Sequence, residues 1–372
     1  MSRRWRAAAT ASSLVLAAAV LTPSATLAPA AGARTPATYR AALPATSTAF
    51  VQRVRISWQE SQNRPQYSAR AMAPGITPVR MVCRPDATFV GIRPYDRSDE
   101  TQMWVAKYEQ KSAGPVVAVK NVRVYTAANA NDHSGSGTGP TAYEGLNQER
   151  TPEDSSHGYL HGVISSRPGR DQPAGGVAVP QPTSFTLDWS WGGLRDGGRD
   201  AWCVVHARFV TQMSPAEARA RAARDTGVET WVRALDAPAL AVNWHGEDDA
   251  VGHETDSSAW AGLGTLDLEC RVGRDSDHAL WLREPDPTTW IWVETVTGEG
   301  LVTDHVSGEA VGVDPVEHWV GPIDLPRNGI VRIFVTTATG AAGSLIVSSY
   351  VKDNDHDPRL DLCETGIAAW LE

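Results

Sequence analysis

Lysine is nearly missing from this chain: Lys107, Lys111, Lys120 and Lys352 stand beside 30 arginines. The bias reads as the mark of a GC-rich genome and points to no mechanism. Cysteine is also scarce. There are four, none precedes Cys83, and no Cys-x-x-Cys spacing occurs, which leaves no short thiolate metal motif. No apolar run reaches the roughly 20 residues that a membrane-spanning helix needs, so no membrane insertion is expected. An excess of positive charge is absent as well. The formal charge is −9, a field that disfavours nucleic acid and anionic membranes as partners.

The usual catalytic frames are absent. "HSGSGTG" (133–139) lacks both the Gly-x-Ser-x-Gly elbow and the lysine of a phosphate loop. His157 and His161 are four apart in "SSHGYLHG", but Gly158 stands where a zinc peptidase has glutamate, and the flanking glycines predict a turn. "HGEDDAVGHE" gathers His245, Glu247, Asp248, Asp249, His253 and Glu254. Its two histidines lie too far apart for a standard short ligand spacing, and residues 243–258 read as a solvated acidic loop. No nucleophile, base and orienting group can be named together, so the sequence leans away from an enzyme.

What is present begins with an export signal. Arg3, Arg4 and Arg6 precede a short apolar run over residues 7–22, and small residues follow to Ala33. Residues 1–33 are therefore expected to be a signal peptide, and 34–49, rich in Ala, Thr and Pro, a disordered lead-in. Without the signal the formal charge becomes −12. An exported chain with four cysteines is expected to form two disulfides. Cys83–Cys203 with Cys270–Cys363 is the favoured pairing, because it keeps one bridge in each half.

Hydrophobic periodicity is mostly two. "VRISW", "VRMVC", "SFTLDWSW" and "AWCVVHARF" alternate in the first half, and "LDLECRV", "HALWLRE" and "TTWIWVETV" in the second. "GIVRIFVTTATGAAGSLIVSSYV" is a hairpin joined by "TGAAG". One helix is signalled, with Ser214 as N-cap, Pro215 in the first turn, Glu217 closing a capping box and Gly227 as a stop. The fold expected is mainly β. Two antiparallel sandwich or jelly-roll-like domains, each with one disulfide, are joined by a short helix. The first spans 50–212 with a long irregular insertion at 127–183, the helical connector spans 213–235, and the second domain spans 236–372.

Two features carry chemistry. Fourteen tryptophans are many for this length. The alternating pairs Trp189/Trp191 and Trp290/Trp292 are expected in the core, whereas Trp260, Trp281 and Trp319 sit in more polar surroundings and are the surface candidates. The other feature is "DNDHDPRLDLCE", with Asp353, Asp355, Asp357, Asp361 and Glu364 as candidate calcium ligands. An EF-hand places oxygen ligands at the same positions, but it needs glycine where Pro358 stands. The run resembles, over a dozen residues, the Asp-x-Asp-x-Asp-Gly…Cys-Glu ending of the extracellular Excalibur calcium-binding modules, with two extra residues and without the glycine. That resemblance implies calcium and assigns no family. The expected function is a secreted, extracellular binding or adhesion module for glycan or a surface protein, stabilised by Ca2+. A secreted hydrolase with its site in 127–183 or at the domain junction is the alternative.

Overall fold

Alternation of apolar and polar residues yields strands wherever one parity meets a core. The computed structural model describes residues 48–62, 64–111, 114–126, 139–147, 152–168, 180–223, 229–234, 240–245, 253–260, 262–271, 277–283, 285–299, 302–314, 316–352 and 362–370. The first half holds β1 (Thr48–Gln59), β2 (Ser68–Ala73), β3 (Thr77–Arg84), β4 (Ala87–Ile92), β5 (Asp99–Lys111), β6 (Gly114–Val124), β7 (Ala142–Gly145), β8 (Ser156–Pro168), β9 (Thr183–Gly192) and β10 (Trp202–Met213). Helix α1 (Pro215–Ala222) and β11 (Glu229–Ala234) follow. The second half holds β12 (Ala241–His245), β13 (His253–Trp260), β14 (Gly264–Arg271), β15 (Asp277–Arg283), β16 (Trp290–Glu299), β17 (Val302–Gly312), β18 (Trp319–Asp324), β19 (Asn328–Thr336), β20 (Ala342–Lys352) and β21 (Leu362–Trp370).

These strands form four antiparallel sheets. The first sandwich faces a seven-stranded sheet, β11-β1-β10-β9-β8-β5-β6, against β2-β3-β4-β7. Ile56, Trp58, Met81, Val105, Phe185 and Trp189 are part of its core. The second faces β12-β21-β20-β19-β16-β17 against β13-β14-β15-β18, around Trp260, Leu268, Leu280, Ile333 and Val347. Each sandwich has one disulfide across its core, as expected: Cys83–Cys203 ties β3 to β10 and Cys270–Cys363 ties β14 to β21. Three buried indoles of the first sandwich have bonded N–H groups. Trp189 donates to Ser156 Oγ at 3.1 Å, Trp191 to Glu153 O at 3.0 Å, and Trp58 to Cys83 O at 2.9 Å.

The two larger sheets also stack on each other. Trp104, Ala106 and Val163 of the first pack with Ile330 of the second, flanked by Tyr350, whose ring stacks on Trp104 at 6.2 Å. All described residues belong to one compact unit, Pro36–Glu372. The described residues of this unit thus form four β layers, with the longest sheets innermost.

Several sequence expectations change. The stretch 127–183 contains β7 and β8, and β8 lies inside the seven-stranded sheet. Its glycines hide the pattern because they are steric necessities. A Cβ on Gly158 would lie 2.3 Å from Tyr108 O, and one on Gly162 would lie 2.2 Å from Trp104 O. His157 and His161 are on this strand and not in a turn. The connector at 213–235 is helix followed by strand: β11 pairs with β1, and Ala218 of α1 is buried with Phe50 and Met213. Ser214 does cap α1, accepting from Glu217 N at 3.3 Å, but the helix ends at Ala222, and Gly227 lies outside the described residues. The acidic stretch 243–258 begins in β12 and ends in β13. Finally, β1 starts at Thr48, inside the lead-in expected to be disordered.

Candidate ligand-binding face

The composition oddity, tryptophan, resolves differently in the two sandwiches. Trp189 and Trp191 are buried, at 3% and 2% exposure. Trp290 and Trp292 are not: they are 64% and 45% exposed, which corrects the core expectation for this pair. In "WIWVET" both parities are apolar, and Ile291 and Val293 take the core. The tryptophans are thereby turned outward. Trp260, expected at the surface, is buried instead, while Trp281 and Trp319 are half-buried.

The outward parity of β16 reads Trp290, Trp292, Glu294, and that of the adjoining β19 reads Thr336, Phe334, Arg332 at the same levels. Trp292 lies directly opposite Phe334, which is itself 37% exposed. Neighbouring strands are about 4.8 Å apart, and alternate residues along one strand are roughly 6.7 Å apart, so the three rings form one contiguous ledge. On the far side of β16, Gly312 of β17 lies opposite Trp290, and nothing lies within 4 Å of where its Cβ would be.

Polar groups close one end of the ledge. Glu294 receives a hydrogen bond from Trp292 Nε1 at 3.3 Å and pairs with Arg332 at 3.4 Å. The Arg332 guanidinium lies 5.4 Å from the Phe334 ring centre and 5.9 Å from that of Tyr159. Tyr159 belongs to the first sandwich, where it stacks on Tyr108 at 5.2 Å. Burial pushes its phenol up to about 12, so it stays neutral. Beyond Arg332 the same face of the sheet is covered, with Ile330 buried in the inter-sandwich cluster. A half-exposed ion pair of this kind stabilises the fold by less than about 1 kcal/mol. Its carboxylate and guanidinium are better placed as hydrogen-bond partners for a polar ligand lying on the rings.

The carboxylates named for calcium are only partly placed. Glu364 is on β21, fully buried and paired in register with Tyr350. Asp353, Asp355, Asp357 and Asp361 lie outside the described residues, as do Glu247, Asp248 and Asp249. Among the described residues one group has metal-ligand character: Cys270, His278 and Cys363, with ligand atoms within 4.8 Å of one another. Its two sulfurs form the disulfide, so no thiolate is available and only the imidazole remains as a ligand. His278 bonds Thr365 Oγ1 at 2.7 Å, and burial pushes its ring down to about 3. His278 is thus a half-buried, neutral histidine beside the second disulfide.

His157 and His161 do not assemble a site. His157 is exposed, whereas His161 is fully buried between the sandwiches, with Nε2–H donating to Gly366 O at 2.7 Å. Burial holds His161 at about 4. Sequence reasoning also passed over Lys107, buried in the first sandwich. Its ammonium meets the Glu144 carboxylate, Gly145 O at 2.9 Å and Asn147 O at 3.0 Å. Three N–H donors meet three acceptors, which makes Lys107 a fastener for β7 and the residues after it. Burial lowers its pKa, and the Glu144 carboxylate works against that shift.

No family model matches this chain, and no curated protein or solved structure matches it. No helix among the described residues is long and apolar enough to cross a membrane.

Proposed function

We propose that this protein is a secreted extracellular binding module that holds a glycan on the aromatic ledge of its second sandwich. The observation that carries the reading is the side-by-side exposure of Trp290, Trp292 and Phe334 next to the Glu294–Arg332 pair. Exposing three large rings together has a solvation cost, and a contiguous patch of this kind marks an interaction site. Sugars present apolar C–H faces that stack on indoles and hydroxyl rims that bond to carboxylate and guanidinium. The buried His161 gives the alternative, a secreted hydrolase, no catalytic base at that position.

Isothermal titration with neutral oligosaccharides of several linkages tests this reading. One of them should bind, and Trp292→Ala should weaken it about fivefold to tenfold, the worth of one aromatic contact. Binding that Trp290→Ala and Trp292→Ala both leave intact would move the site elsewhere, and a surface protein captured through the same rings would replace glycan as the ligand class. Calcium held by Asp353, Asp355, Asp357 and Asp361 belongs to the same reading as a stabiliser. At millimolar calcium and the weak affinity of extracellular sites it should add about 1 kcal/mol. Thermal unfolding with calcium and with chelator, in wild type and Asp355→Ala, decides it; no shift up to about ten millimolar removes calcium from the proposal.

A further inference from the structure

The outer face of the first sandwich carries a feature that the ledge does not explain. In the sheet β2-β3-β4-β7, Arg70 is paired directly with Arg80, Arg80 with Gly91, and Gly91 with Tyr143. This row crosses all four strands at one level. Arg93, just past the end of β4, lies two residues along from Gly91 on the same parity, and Phe89 lies two residues the other way. All three arginines are exposed, and among the described residues none forms an ion pair.

Like charges directly opposite on neighbouring strands destabilise a sheet. Arg70 and Arg80 face each other in a chain whose net charge is −9, with no acid between them. The arrangement is therefore unfavourable for the empty fold and favourable for a bound anion. The surface is also shaped. These side chains line a groove of about 390 Å3. Gly91 is its floor, where a Cβ would come within 3.0 Å of Tyr143 Cβ. Phe89 and Tyr143 stand beside it with ring centres 5.2 Å apart, and the Arg80 guanidinium lies 6.0 Å from the Phe89 ring.

We propose that this groove binds an acidic saccharide, its carboxylate or sulfate groups held by Arg70, Arg80 and Arg93 and its ring lying on Phe89 and Tyr143. Guanidinium presents a planar fork that matches both oxyanions, and the two aromatic rings select a ring-bearing anion over a bare one. The groove and the Trp290–Trp292 ledge are on different sandwiches, so either site can fail without the other.

The test is calorimetric titration with an oligogalacturonate, a heparin-derived oligosaccharide and inorganic sulfate. One or both oligosaccharides should bind. Arg80→Gln and Arg93→Gln should each weaken that binding roughly tenfold, the worth of a charge-assisted contact. Arg84→Gln should leave it unchanged, because Arg84 is on the same sheet but paired with Asp86. Binding of galacturonate assigns carboxylate recognition, and binding of heparin alone assigns sulfate. Arg80→Gln should also melt no lower than wild type, since it relieves the Arg70–Arg80 repulsion; a lower melting temperature would mean that Arg80 serves the fold. Three results overturn the proposal: neither oligosaccharide binds, Arg84→Gln weakens binding as much as Arg80→Gln does, or inorganic sulfate binds as tightly as the oligosaccharides.

Discussion

The same three-residue pattern, Trp-x-Trp, occurs on β9 and on β16 and is used in opposite ways. On β9 the residues between and before the tryptophans are Asp188 and Ser190, and the indoles go inward with Phe185 and Leu187. On β16 the residues between and after the tryptophans are Ile291 and Val293, which go inward and leave the indoles outside. The direction of a tryptophan is therefore set by its competitors for the core. Where the alternate parity is polar, the indole is the better core residue; where it is β-branched and apolar, the smaller residues pack between sheets and the larger rings are released. The first sandwich buries Trp189 and Trp191, and the second exposes Trp290 and Trp292.

The covalent frame offers the largest test of how alike the sandwiches are. The bridges close 120 and 93 residues. A chain-entropy view then gives each about 4–5 kcal/mol, nearly equal. Paired Cys→Ala variants, Cys83 with Cys203 and Cys270 with Cys363, should lose similar stability in denaturant titrations. A loss confined to one bridge would show that the sandwiches differ in stability independently of their shared plan.

The tryptophans give the next largest effect and the sharpest contrast. Trp189→Ala removes a buried ring and leaves Ser156 without its indole donor, so it should cost about 3–5 kcal/mol. Trp292→Ala should change stability by no more than about 0.5 kcal/mol, as exposed positions do, while weakening glycan binding. Equal destabilisation by the two variants would place Trp292 in a buried interface and remove the ledge.

Much of the fold was legible because it follows from local pattern. Alternation marked the strands, Ser214 and Pro215 marked the start of α1, and four cysteines in two halves marked the bridges. The failures share a physical cause. β8 looked irregular because its glycines sit where neighbouring backbone approaches and because its other face packs on a second sandwich. That face carries His161, a polar residue that pattern reading assigns to solvent. The two proposed binding surfaces were less legible still. Arg70, Arg80 and Arg93 are far apart in sequence and meet only through cross-strand register. Nothing in "WIWVE" announces which parity wins until Phe334 is placed opposite Trp292.

The last of the three effects separates the sandwiches by pH. The first core contains no histidine among its described members, whereas His278 lies in the second sandwich and His161 between the two. Burial holds His161 at about 4, below the ordinary value of 6.5. Above pH 6.5 the ring is neutral in both states and the shift has no effect on stability. Between 6.5 and 4 the unfolded chain takes up a proton that the folded chain refuses, so stability falls with pH and levels off below about 4. The loss is about 3 kcal/mol for a fully buried ring. His278, pushed to about 3 by burial, acts in the same direction. Acidification from pH 7 to 4.5 should therefore loosen β14, β15, β21 and the joint between sandwiches first, and hydrogen exchange should show their amides losing protection before those of β3 and β4. His161→Gln keeps a donor for Gly366 O but does not titrate, so it should flatten part of the stability slope in this window. A slope that His161→Gln leaves unchanged would mean that the ring is not held neutral at the joint, and protection lost first in β3 and β4 would reverse the comparison between the two sandwiches.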